Sequence, residues 1–144
     1  MENNCVEAEA GHVIMLMRAQ GCTELYRSDS FDYGETWQDA YPCGIPSASS
    51  KITLLSRRGK ILLIHNACEE KESMEGRKNL SIWVSEDGMH SWSTKYKLLA
   101  QDESMFYPHA FLDEERKAVY IACENTRQSY CLRVPFSELW DEYE

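Results

Sequence analysis

A chain of 144 residues is the size of one ordinary domain, long enough to bury a core and too short for a second full one. Its 24 acidic and 15 basic residues leave a formal charge of −9, which excludes nucleic acid as an expected partner, because a phosphate backbone is held by clustered Lys and Arg. The longest apolar runs, residues 13–17 and 61–64, fall far short of a bilayer span, so no membrane partner is expected either.

Met1-Glu2-Asn3-Asn4 lacks the basic start and apolar stretch of a secretion signal, so export is not encoded here and the cytoplasm is the default location. Cys5, Cys22, Cys43, Cys68, Cys123 and Cys131 form no CxxC pair and no metal-ligand spacing. Reduced, mostly buried thiols are expected, with no metal and no cofactor.

Short strands follow in order at residues 5–8, in GHVIMLMR (11–18), at 24–27 and at 38–41. The succession returns at 52–55, GKILLIHN (59–66), 80–84 and 95–99, and again at 110–112, KAVYIACE (117–124) and 130–134. The repeat predicts four-stranded antiparallel meanders of propeller-blade length, at about 1–48, 49–103 and 104–140. The third unit ends in Pro135-Phe136-Ser137-Glu138-Leu139-Trp140 and an acidic tail, which reads as a chain terminus. Three blades do not close a ring, so a fragment is expected, completed by missing N-terminal blades or by self-association through its open edges.

Between the third and fourth strands two units carry SFDYGETW (30–37) and SEDGMHSW (85–92), both fitting S-x-D-x-x-x-[S/T]-W. Asp32 and Asp87, with Ser30 and Ser85, can satisfy turn amides, Gly34 and Gly88 allow unusual backbone angles, and Trp37 and Trp92 can pack between blades. The pair resembles the Asp-box (BNR) repeats of sialidases and related propellers over nearly the whole chain. Gly88 falls one place early and Met89 stands where the pattern wants glycine, which weakens only that copy. The resemblance implies an all-β fold: about three blades, the C-terminal half, of a six-bladed propeller.

Because strands alternate direction, one mouth receives Glu2, Ser50 and Tyr107 at the starts of first strands and Arg18, Asn66 and Glu124 at the ends of second strands. Loops add Arg77 and Arg127, while the Asp boxes lie on the opposite side. ENNCVEAEAGHVIMLMR (2–18) resembles the sialidase segment in which a glutamate opens one strand and an arginine closes the next. That likeness implies that Glu2 pairs with the catalytic tyrosine and that Arg18 belongs to the arginine triad. GRKNLSIWVSEDG (76–88) similarly implies a triad role for Arg77, and FYPHAFLDE (106–114) implies Tyr107 as nucleophile, with Pro108 following where many relatives have serine.

The chemistry these residue types share is the handling of a sugar acid. Guanidiniums hold a carboxylate through paired, charge-assisted hydrogen bonds. A neutral phenol attacks beside that carboxylate without repulsion once a glutamate takes its proton. The resemblance implies an exo-sialidase releasing terminal sialic acid from sialylated glycans, whose first triad arginine and aspartate acid/base belong to N-terminal blades outside this chain. The chain alone is therefore expected to be inactive. Two other readings stand beside it: a noncatalytic carbohydrate-binding or interaction propeller, and a propeller enzyme acting on other acidic sugars. Asn66 and Glu124 are candidates for sugar hydroxyls, Arg127 for a rim or structural role, and His109 for a buried or rim hydrogen bond. The charged stretch 69–77 reads as a solvated loop.

Overall fold

The three apolar runs become the middle strands of three antiparallel sheets in a computed structural model that describes residues 2–99 and 103–141. The first blade is ordered β1 (Asn3–Glu9), β2 (His12–Arg18), β3 (Glu24–Ser30), β4 (Tyr41–Pro46). The second runs β5 (Thr53–Arg57), β6 (Lys60–Asn66), β7 (Leu80–Ser85), β8 (Thr94–Lys97). The third contains β9 (Phe106–Asp113), β10 (Ala118–Glu124) and β11 (Ser129–Pro135), and among the described residues it has no fourth strand. A single 3₁₀ turn, Phe136–Glu138, follows; Phe136 and Leu139 plug the core between the second and third blades.

The first fourth strand starts later than the sequence pattern suggests. Residue 38 is consumed in closing the turn before it: the Gln38 amide donates to Asp29 and its carbonyl accepts from the Ser28 hydroxyl. Pairing with β3 therefore begins only at Tyr41.

Alternation along β6 stacks the blades. Ile61 and Leu63, with Trp83, face the first blade at Val6, Ile14, Leu16 and Leu25. Leu62 and Ile64, with Ile82 and Val84, face the third at Val119, Ile121, Cys123 and Val134. Each such side chain contributes roughly 1.5–3 kcal/mol by leaving water. Polar staples cross the same seams. Arg27 grips Asp29 through two bonds of 2.8 and 2.9 Å and donates to the Gly88 carbonyl of the next blade at 2.7 Å. Arg57 pairs with Glu114 of the third blade at 2.7 Å and lies 4.5 Å over the Phe136 ring.

The outer faces of the first and third blades have no described neighbour. Trp92 packs against the seam between the first two blades, edge-on to Trp83 at 5.3 Å. Its counterpart Trp37 has no blade to pack against and stays 37 % exposed. On the third blade Phe111, stacked on Tyr120, is 58 % exposed. The same openness corrects the expectation of mostly buried thiols: all six cysteines are free but only Cys123 is buried, and Cys5 and Cys131, on the strands of the uncovered blades, are exposed.

The two Asp boxes fold alike. In each, the serine hydroxyl donates to the aspartate at 2.8 Å (Ser30 to Asp32, Ser85 to Asp87), and the aspartate accepts an amide at 2.8 Å and a hydroxyl at 2.5 Å from Thr36 or Ser91. Those bonds, led by the Thr36 hydroxyl, hold the Asp32 carboxyl down at about 2. The departure of the second copy from the pattern leaves its turn bonds unchanged. Met89 takes the left-handed conformation (φ 65°) that Gly34 takes in the first box (φ 89°), and each donates its amide to the box serine at 2.8 Å. Met89 is buried in the interblade core, which offsets a left-handed backbone cost of roughly 1–2 kcal/mol.

Met89→Gly is therefore expected to destabilise rather than relieve the turn. The lost burial, roughly 2–4 kcal/mol, exceeds the strain removed, and a urea midpoint should report a net loss of about 1–2 kcal/mol. His65 gives a pH signature. It is fully buried against Trp83, with neither ring nitrogen in a well-formed hydrogen bond among the described residues, and burial, aided by the Lys95 charge and only partly countered by the Pro46 backbone, pushes its pKa down to about 3. A base harder to protonate when folded stabilises fully above its unfolded value of about 6.5 and loses that contribution as pH falls toward 3. Unfolding free energy should drop by up to about 1.4 kcal/mol per pH unit just below pH 6, and His65→Phe should flatten that limb.

Candidate active site

Tyr107 reaches the mouth through an irregular strand. The register between β9 and β10 shifts between Ala122 and Glu124, so an extra residue is accommodated opposite Cys123. Tyr107 sits in that bulge with φ 55°, a conformation unfavourable for a bulky residue, held by the buried Phe106 on one side and on the other by the Thr53 hydroxyl bonding the Pro108 carbonyl at 2.5 Å. A bulge of this kind turns a side chain out of the alternation of its strand.

Arg77 closes the loop before β7. Its carbonyl accepts the Met105 amide at 3.1 Å, tying that loop to the segment leading into β9. The guanidinium lies 5.1 Å over the Phe106 ring and 5.5 Å over the Tyr107 ring. Arg18, the last residue of β2, bonds Glu2 at 2.6 Å, and its amide donates to the Glu2 carbonyl at 2.9 Å. Burial works against the Arg18 charge, but Glu2 and Tyr107 more than offset it and raise its pKa.

The two arginines meet on Ser49. Arg18 Nε donates to Ser49 Oγ at 3.4 Å and Arg77 Nη2 to the Ser49 carbonyl at 3.0 Å. Ser49 is itself fixed by its amide donating to the Glu70 carbonyl at 2.7 Å, so the stretch 69–77 is an organised wall of the mouth as well as a solvated loop. Ser49 lies in no motif and Phe106 only opens the segment that carries Tyr107; their roles depend on where three loops meet.

Asn66 is buried, and its amide donates to the carbonyls of Lys78 (3.1 Å) and Met105 (2.6 Å). Both donated bonds fall on the segments that carry Arg77 and Tyr107, so Asn66 clamps the two together, while its Oδ1 meets no partner among the described residues. Ser50 is also buried, its hydroxyl unbonded among the described residues. Glu124 is exposed at the end of β10. Arg127 is exposed in a turn where the Asn125 side chain accepts its amide at 2.8 Å. His109 departs from the buried or rim hydrogen bond expected of it. It is exposed, opposite Ala122 and in line with Phe111, because β9 turns alternate residues to the uncovered side of the third blade. Among the described residues, no group of three or more His, Cys, Asp or Glu converges to hold a metal.

The family model described as a BNR repeat-like domain matches residues 2–121. The chain belongs to this BNR repeat family. Solved structures agree on the fold of this BNR domain. NanB sialidase from Streptococcus pneumoniae, as its K499G mutant, is 18 % identical with a TM-score of 0.75, over 96 % of this chain and 24 % of that one. Trypanosoma rangeli sialidase in complex with the inhibitor DANA is 18 % identical with a TM-score of 0.66, over 90 % and 22 %. A Trypanosoma rangeli sialidase mutant displaying trans-sialidase activity is 17 % identical with a TM-score of 0.64, over 94 % and 23 %. No curated protein matches significantly. The BNR domain thus has the fold of part of a sialidase propeller and spans about a quarter of the length of those sialidases.

Asn66→Ala should leave the buried Met105 carbonyl unpaired and the part-buried Lys78 carbonyl with only the Cys68 thiol, at about 1–3 kcal/mol for the buried group. Urea denaturation is expected to show a loss of about 1–3 kcal/mol, and a loss below about 0.5 kcal/mol would show that the clamp carries no load.

Proposed function

We propose that this chain forms the arginine- and tyrosine-bearing part of a sialidase-type site that binds the carboxylate of a terminal sialic acid. The observation that carries the reading is the meeting of Arg18 and Arg77 on Ser49, with the Tyr107 ring beside Arg77 and Glu2 on Arg18. In a chain of net charge −9, two guanidiniums gathered on one residue, Ser49, support a local anion site.

In this reading Arg18 and Arg77 take the carboxylate and so place the anomeric carbon near Tyr107. The phenol oxygen attacks that carbon as its proton passes to Glu2, and the bond to the leaving oxygen breaks as an acid protonates it. Water then displaces the tyrosine from the glycosyl intermediate, giving net retention. The acid and a third arginine would come from blades outside this chain. Lacking the acid forfeits roughly 10²–10⁴-fold in rate. Conversion of a fluorogenic sialoside by the 144-residue chain alone is therefore expected to stay at background.

Calorimetric titration with a methyl sialoside tests the binding half directly. Arg18→Ala and Arg77→Ala should each weaken it by roughly 10–100-fold, since a hydrogen bond to a charged group is worth about 1.5–3 kcal/mol. Tyr107→Phe keeps the ring beside Arg77 and should leave affinity within about threefold. Equal affinity for a methyl uronide would move the site to another acidic sugar, and indifference to both arginine substitutions would sink the reading.

A further inference from the structure

Each interior seam joins two unlike faces, one turned to the following blade and one to the preceding blade. In the first seam Ile14 and Leu16 of β2 meet Ile61 and Leu63 of β6. In the second, Leu62 and Ile64 of β6 meet Val119 and Ile121 of β10. The chain carries one more face of each kind, and both are bare. On the first blade Val13, Met15 and Met17 hold the places that Ile61, Leu63 and His65 hold in β6, and they remain half-buried with only their own sheet around them. Tyr26 stands opposite Met17, and the open Trp37 repeats Trp92, which packs against the seam before its blade. On the third blade Tyr120 and Ala122 hold the places of Leu62 and Ile64. Phe111, exposed opposite Tyr120, holds that of Leu55 opposite Leu62.

The bare face of the third blade is of the kind that turns to a following blade, and that of the first is of the kind that receives one. Together they are the two halves of one seam. Their side chains also suit each other, because flexible thioethers such as Met15 and Met17 mould to aromatic rings such as Phe111 and Tyr120 and attract them through sulfur. A second copy related by a twofold axis would satisfy both halves at once, third blade on first blade at each of two seams. Three blades from each copy make six, a number at which propellers close.

We propose that these faces dock a second copy of this chain head to tail, so that two chains close one six-bladed ring. The proposal stands apart from the sugar reading of the mouth. Sedimentation velocity on the 144-residue chain tests it at about 0.15 M salt, where the repulsion between two copies of net charge −9 is screened. Over roughly 1–100 μM a dimer with no larger species is expected. Phe111→Asp and Met15→Asp, both at uncovered positions, should each weaken dimerisation by roughly 100-fold or more while leaving the urea midpoint in place. Each substitution spoils a different half of the seam. An equimolar mixture of the two variants should therefore pair again, through the intact first-blade face of Phe111→Asp and the intact third-blade face of Met15→Asp. A monomer over the whole range, growth beyond the dimer, or a dimer that survives both substitutions would overturn the proposal. A dimer lost in one variant only, with no pairing in the mixture, would show like faces meeting and overturn the head-to-tail ring.

Discussion

The middle strand of the second blade is the constraint from which the rest follows. Every residue of β6 is buried, because its odd-numbered apolar side chains fill one seam and its even-numbered ones the other. A strand sandwiched in this way has no freedom of register: a slip of one residue would exchange the two sets and drive Asn66 and His65 onto the wrong faces. Both ends of β6 are thereby set. One lies beside the turn that enters the blade, and the other ends on Asn66 among the loops of the mouth.

From that fixed end the site is assembled by backbone groups as much as by side chains. Asn66 binds two carbonyls, one in each segment carrying a proposed ligand-binding residue, and Ser49 gathers both arginines, one through its hydroxyl and one through its carbonyl. Holding two guanidiniums close together works against their mutual repulsion. The Glu2 carboxylate and the aromatic faces of Phe106 and Tyr107 offset it, leaving the cluster oriented before any ligand arrives. The left-handed backbone of Tyr107 belongs to the same economy. It is tolerated because Phe106 and Pro108 are pinned on either side, and it turns the phenol out of the strand's alternation.

Stacking also explains what remains exposed. The second blade, with a neighbour on each side, packs a partly buried Trp92 against a seam; the first blade repeats the motif and leaves Trp37 open. Phe111 and Tyr120 form the matching apolar surface at the other end.

The strand repeat, the two Asp boxes and the clustering of Arg18, Arg77 and Tyr107 on one side were legible in the sequence, because period-two burial and antiparallel connection turn spacing into position. Local pattern misled where a neighbour in space decided the matter. Met89 departed from the repeat pattern and is a buried core residue, residue 38 looked like strand and closes a turn, and His109 looked like a buried or rim hydrogen-bonding residue and is exposed on the uncovered side. The sequence by itself determined which residues would alternate into the seams and which strand ends would share a face, since both depend only on chain geometry. Only the tertiary structure decided that Ser49 joins the arginines, that Asn66 is a clamp and that Tyr107 rides on a bulge, because those depend on contacts between loops far apart in the chain.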